Sequence, residues 1–444
     1  MTNLLITGGT LINEGTRTHE DILIRNGRIE SIGSNLQVPS SCKIIEAEGK
    51  WVLPGLIDDQ VHFREPGLTH KACIHTESQA AVAGGVTTYF EMPNVSPPTL
   101  DMERIEEKCA IASRDSLANY SFFLGASNEN LEAVKSADPA RIAGVKVFMG
   151  SSTGNMLVDE ETVLEGIFRN APTIIATHCE DTPMILANEE DARNKYGDEV
   201  PFAEHGNIRS REACLKSSSM AVELAKRENA KLHVLHITTE EELDLFESGH
   251  DRITAEACVH HLWFEESSYA TLGSQIKCNP AIKKVSDRDA VRRAVMDGRI
   301  SILATDHAPH TWEEKQGTYF NAPSGLPLIQ HTLLLMLEMC EQNCFTPELI
   351  VERACHAPAR LFQVEDRGYL REGYWADLVV VDPEGKTPVK DTELFSKCGW
   401  SPFSHLTFTN AISNTIVSGK VAYDHGKLQM DCRGQRAEFA KDRR

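Results

Sequence analysis

The chain has no surplus of positive charge. Its 45 lysines and arginines stand against 65 aspartates and glutamates, a formal net charge of -20. That balance argues against nucleic acid or an anionic membrane as partner, although one local arginine is enough to capture an anionic substrate. No stretch is apolar for long enough to span a bilayer. Residues 1–9 contain neither a basic n-region nor a long apolar run, so no signal peptide is expected and the cytoplasm is the expected location. The 12 cysteines include no Cys-x-x-Cys pair. They read as free, mostly buried thiols of a reducing compartment. Cys179 falls among them, because alternation along a strand turns it away from the side of its neighbour His178. Solenoid-type repeats and low-complexity tracts are also missing.

What is present suits a large barrel with a smaller appended domain: 444 residues, 41% apolar and 25% charged. Residues 21–33 read as a hairpin with Asn26-Gly27 at its turn. Residues 376–381 read as a strand and 414–423 as another hairpin. Neither end is large enough to fold alone. The expected organisation is therefore a discontinuous β domain made of 1–52 and 366–444 around a barrel of 53–365. The charged tail from 431 to 444 is expected to fray or to dock as a short helix.

Between the ends, strand-like and helix-like stretches alternate, which predicts parallel strands with helical crossovers. Eight strands are expected at 56–62, 86–92, 120–125, 144–149, 173–178, 231–236, 252–258 and 300–305, the number of a closed (β/α)8, TIM-type α/β barrel. Helices are expected over 101–114, over 128–136 from an Asn128 cap, and from Ser286 to a stop at Gly298. The long segment 179–230 is expected to hold extra helix.

Chemistry in such a barrel gathers at the carboxyl ends of the strands. The first strand enters Asp58-Asp59-Gln60-Val61-His62 and is broken by Pro66-Gly67, and alternation puts Asp58, Gln60 and His62 on one side. His178, His236 and Asp306 also fall at strand ends. One such histidine means little, but four imidazole and carboxylate groups at one end of a barrel predict a metal site. These donors suit zinc, with manganese, cobalt and nickel as other metals of matching preference. Lys146 lies inside the apolar fourth strand. Burial favours its neutral amine, which can add carbon dioxide to give a carbamate able to bridge two metals. A salt-bridged lysine is the alternative.

With these residues in view, the chain resembles the dihydroorotases of the amidohydrolase superfamily. The resemblance rests on Val61-His62-Phe63-Arg64-Glu65-Pro66-Gly67, Glu91-Met92-Pro93-Asn94, Val145-Lys146-Val147-Phe148-Met149, Thr177-His178-Cys179-Glu180, His233-Val234-Leu235-His236, Cys278-Asn279-Pro280, Thr305-Asp306-His307-Ala308-Pro309-His310 and Ser324-Gly325-Leu326-Pro327. It implies that His62 and Asp306 hold one zinc ion and His178 and His236 another, with carbamylated Lys146 as the bridge. A hydroxide between the metals is then the nucleophile. The resemblance makes Asp306 the proton shuttle. It assigns Arg64, Asn94 and His310 to a substrate carboxylate, and Asn279 and the backbone at Gly325 to the ring. The implied reaction is the reversible cyclisation of N-carbamoyl-L-aspartate to (S)-dihydroorotate, the third step of pyrimidine (UMP) synthesis. His307 is expected to point away from the site. One of His260 and His261 is a candidate to touch it, and the loop 150–155 is a candidate to move over it.

The chain departs from the family pattern at Gln60, where the family carries the first histidine of His-x-His. An amide oxygen is a weaker zinc ligand than imidazole. Three states follow: a binuclear site completed by Gln60 or water, one firm metal at His178 and His236, or a weakened relative serving as a partner subunit, for instance of aspartate transcarbamoylase. Allantoinases and dihydropyrimidinase-like enzymes share the metal set and are the competing activities, and Arg64 discriminates against them. The expected partner is a small-molecule substrate, with a homodimer as the default assembly.

Overall fold

A computed structural model describes residues 3–39, 41–150 and 156–443. Eight parallel strands form a barrel: Leu56–Val61, Val86–Glu91, a third strand split into Asn119–Phe122 and Leu124–Gly125, Val145–Phe148, Ile175–His178, Leu232–Val234, Ile253–Cys258 and Ile302–Ala304. All eight expected strands are found, seven of them one to three residues shorter. The split at Phe123 divides the ladder into two hydrogen-bonded runs. The eighth strand meets the first where His62 N donates to His307 O at 2.7 Å and Val61 bridges His307 in parallel. Apolar side chains explain the closure. Ile57, Phe90, Ala176 and Ile302 from four strands, with Phe123 at the break of the third, pack with Phe362 in one cluster.

The polar top of the first strand is not a clean alternation. Its pairing with the second strand slips between Asp58 and Val61. Asp58 leaves the side shared by Gln60 and His62, and its carboxylate accepts from Thr305 Oγ1 at 2.6 Å and Thr305 N at 3.2 Å. Burial raises its pKa to about 7, with the Thr305 bonds opposing. A carboxylate there locks the eighth strand to the first rather than serving the cavity.

Helices lie between most strands. The helix Met102–Asp115 is capped by Asp101, whose side chain accepts from Arg104 N. The helix expected from Asn128 begins at Leu131 instead, and Asn128 donates to Asp159 Oδ1. The helix expected from Ser286 is Val285–Asp297, where Asp287 accepts from Lys284 N at 3.2 Å and Gly298 ends it at φ 91°. The segment after the fifth strand holds Thr182–Tyr196 and Arg211–Glu228.

The two chain ends share one nine-stranded sheet. Asn3–Asn13 pairs antiparallel with Thr16–Arg25 and parallel with Trp51–Pro54. Trp51–Pro54 pairs antiparallel with Leu378–Asp382, which pairs with Ala411–Val417. Asn26 and Gly27 at the first hairpin turn both have positive φ, 54° and 84°, as a type I′ turn requires. Gly55 then hands Trp51–Pro54 directly to the first barrel strand. A Cβ at this position would stand 2.2 Å from the Thr87 side chain, so only glycine fits.

The described tail, 431–443, is neither frayed nor helical. Arg436 pairs with Glu106 at 3.0 Å, and Arg443 donates to the carbonyls of Pro139, Ile142 and Ala143. Phe439 packs edge-on against Phe90, with ring centroids 5.6 Å apart. The tail thus seals the apolar cluster on Phe362.

Candidate active site

At the carboxyl ends of the strands lies a cavity of about 290 Å³. Gln60, His62, Lys146, His178, His236 and Asp306 all line it, as do Arg64, Asn94, Asn279, His310 and Gly325. The barrel therefore gathers every residue singled out in the sequence for metal or substrate into one space. His62 and Asp306 face each other, Nε2 to Oδ1, at 3.1 Å. His178 Nδ1 and His236 Nε2 are 3.0 Å apart.

The side chains behind these donors fix which atoms they offer. His62 Nδ1 is 2.7 Å from Asn94 Oδ1, an arrangement in which it donates and leaves Nε2 to the cavity. His178 Nε2 is 3.0 Å from Glu180 Oε2, which Arg209 holds at 2.8 Å. That carboxylate leaves Nδ1 of His178 to face His236. Burial pushes the pKa of His62 down despite Asp306, and pushes that of His236 well down, with the His178 ring adding to the effect. Neutral imidazoles are the form a metal binds. Buried Nδ1 of His236 has no hydrogen-bond partner. Imidazole nitrogens and a carboxylate oxygen in pairs about 3 Å apart fit a metal with ligand bonds near 2.1 Å.

Lys146 is 1% exposed and sits over the Phe148 ring at 4.7 Å. Burial lowers its pKa to about 8, against the pull of Asp306 and Glu256. The shift enlarges the neutral fraction near neutrality, and the neutral amine is the form that takes up carbon dioxide. Gln60 also reaches the cavity; its Oε1 lies 3.6 Å from Cys258 Sγ. Three of the cavity residues, Arg64, His236 and Asp306, hold positive φ of 70°, 40° and 50°. Such backbone costs energy in non-glycine residues and collects where side-chain aim matters.

The other end of the cavity is cationic. Arg64 Nε donates to Pro309 O at 3.0 Å, and its Nη2 is 3.1 Å from His310 Nε2. Burial lowers Arg64 to about 10, so it stays charged at neutrality. His310 is pushed to about 3 by burial and by Arg64, so it stays neutral. Gly325 approaches so closely that a Cβ would meet Ala308 O at 2.4 Å and His310 Cδ2 at 3.0 Å, and its φ is 140°. Asn279, oriented with its oxygen toward Arg209 Nη2 at 3.2 Å, donates to Ser324 Oγ at 3.1 Å.

Some neighbours fall elsewhere. His307 points away, its Nε2 2.8 Å from Glu77 Oε2. Neither His260 nor His261 lines the cavity; His261 Nε2 is 3.0 Å from Pro280 O. They follow the strand on a short helix, Val259–Trp263, which turns them from the barrel mouth. The loop residues 151–155 lie outside the described residues. Sequence reasoning missed Glu180 and Arg209, though Glu180 shares the side of His178 by simple alternation. It also missed two lysines. Lys277 Nζ donates to Tyr319 O and Ala322 O, and Lys315 Nζ to Lys277 O, Pro323 O and Gly325 O. Nothing local in sequence marks them, because their partners are backbone carbonyls.

Comparison with known proteins gives the family. The amidohydrolase family profile matches residues 51–422. A dihydroorotase of Halobacterium salinarum is 32% identical over 413 residues, covering 91% of this chain and 93% of that protein. An allantoinase of Solibacter usitatus is 30% identical over 447 residues, covering 98% and 96%. The solved L-hydantoinase (dihydropyrimidinase) of Arthrobacter aurescens superposes with a TM-score of 0.94 at 25% identity, covering 99% of this chain and 100% of that one.

Proposed function

The chain belongs to the amidohydrolase family and is a cyclic amidohydrolase, and from that premise we propose that it is a dihydroorotase, interconverting (S)-dihydroorotate and N-carbamoyl-L-aspartate in pyrimidine synthesis. One observation carries the choice of substrate. Arg64 is a buried, charged guanidinium beside neutral His310, in the same cavity as the metal donors. A buried cation at the substrate end matches a ring that bears a carboxylate, and the allantoin ring bears none.

His62, His178, His236, Asp306 and carbamylated Lys146 would hold one or two zinc ions, with Gln60 as a weak further donor. Bound there, the metal supplies Lewis acidity and a water made acidic near neutrality. The residues of the chain do the rest. Arg64, Asn94 and His310 clamp the carboxylate. Asn279 and the backbone at Gly325 fix the ring plane. Asp306 takes a proton from the attacking water and passes it to the ring nitrogen as the amide bond breaks. In the reverse direction Asp306 returns that proton as water leaves.

Arg64→Ala is expected to lower kcat/KM for dihydroorotate by about a hundredfold or more, the scale of truncating one partner of a buried charge pair. Hydrolysis of unsubstituted hydantoin, which has no carboxylate to lose, is expected to change little. Undiminished dihydroorotate turnover in that variant would defeat the assignment. Gln60 favours a second reading, a weakened chain serving as a partner subunit of aspartate transcarbamoylase. Enzymic turnover by the purified chain alone would dismiss it.

A further inference from the structure

Directly beneath the cavity, three ionisable side chains from three strands meet inside the barrel: Asp59 of the first, His233 of the sixth and Glu256 of the seventh. All three are 0% exposed. His233 Nε2 lies 3.3 Å from Glu256 Oε2 and 3.5 Å from Asp59 Oδ2. The other ring nitrogen, Nδ1, is occupied by Thr254 Oγ1 at 2.8 Å. The cavity residues adjoin this cluster: Glu256 Oε1 is 3.3 Å from His236 N, and Cys258 Sγ lies between Glu256 and Gln60.

By its own atoms this cluster is held only by shared protons: against its burial, hydrogen bonds with Asp59 and Glu256 raise the pKa of His233, and burial and the Asp59 charge raise that of Glu256. Two buried carboxylates face one imidazole nitrogen, which carries at most one hydrogen. Glu256 Oε1 has the His236 amide, but Asp59 must share the His233 nitrogen, 3.5 Å away, with Glu256. A divalent cation in place of those protons would let both buried carboxylates stay charged and coordinated. Donors on a metal with bonds near 2.05 Å in tetrahedral geometry stand roughly 3.3 Å apart. The observed 3.3 and 3.5 Å separations match that spacing. One imidazole with two carboxylates is a donor set for zinc or manganese. Of the two compact buried donor groups among the described residues, the other is Cys258, His260 and His261. Its imidazoles overlap with centroids 3.9 Å apart, so their lone pairs do not converge.

We infer that Asp59, His233 and Glu256 form a divalent-cation site inside the barrel, separate from the donors that line the cavity. Asp59 reaches it because the strand slips between Asp58 and Val61, which lets Asp59 and Gln60 both lean into the barrel.

The test is zinc content per chain after saturation with Zn2+ and exhaustive dialysis, read for the full chain, Asp59→Asn and the double variant His178→Asn/His236→Asn. The site predicts that Asp59→Asn loses one equivalent relative to the unmodified chain and that the double variant keeps that equivalent. Equal zinc in Asp59→Asn and the unmodified chain, or none in the double variant, would overturn it. Should Asp59→Asn fail to fold, anomalous diffraction at the zinc edge on the unmodified, zinc-soaked protein decides instead. A peak among Asp59, His233 and Glu256 is expected, and its absence, meaning carboxylates that share protons with His233, would refute the site. None of these readouts uses turnover, so the inference stands or falls apart from the proposed activity.

Discussion

Gln60 is the residue on which the chemistry turns. Its oxygen reaches the cavity but is a neutral, weak ligand, and the Cys258 thiol lies 3.6 Å from it. Gln60→His is expected to tighten zinc binding by about tenfold or more, since imidazole is the better ligand. Competition with a chromogenic chelator measures this, and an unchanged or weaker affinity would show that the position does not face the metal. Gly325 makes the opposite kind of prediction. A methyl group there would meet Ala308 O and push on His310, at a φ that side chains avoid. Gly325→Ala is expected to raise KM for dihydroorotate by about tenfold or more while the metal content stays as it was. Equal KM values would mean that the loop absorbs the change.

At the scale of elements, the strand ends were legible and the irregularities were not. His178, His236 and Asp306 could be placed because each closes a largely apolar run that a buried strand explains, and His62 because its strand is entered by Leu56-Ile57 and broken by Pro66-Gly67. The slip between Asp58 and Val61 could not be read, because one extra residue in a ladder leaves composition unchanged. It sends Asp58 to Thr305 and Asp59 into the barrel. The segment after the eighth strand was equally hidden, being tied down by Lys277 and Lys315 through backbone carbonyls. Burial lowers Lys315 from 10.5 to about 7. Between those values the unfolded chain binds more protons than the folded one, so this group adds stability as pH rises from about 7 toward 10.5. Lys315→Met is expected to remove that share of the rise. Denaturant melts of both proteins across the window check it, and parallel pH profiles would contradict the assignment.

At the scale of the whole molecule, both chain ends serve the barrel. They build one sheet, and the last residues seal the apolar cluster around Phe362. Composition predicted an undecided tail because its charges outnumber its apolar groups; Phe439 and the backbone acceptors of Arg443 decide it. Deleting 436–444 uncovers that cluster, and burial of one phenylalanine alone is worth about 2–3 kcal/mol. A fall in Tm of several degrees is expected by calorimetry, and an unchanged melt would show the tail to be passive. Substrate choice is the claim most exposed to experiment, because relatives of similar identity include both dihydroorotases and allantoinases. The most direct measurement is zinc per chain alongside dihydroorotate hydrolysis, on protein purified without chelator. Turnover should rise with zinc bound at the His178–His236 end of the cavity and be lost in His178→Asn/His236→Asn. Bound zinc without dihydroorotate turnover, even after more zinc is supplied, would contradict the assignment.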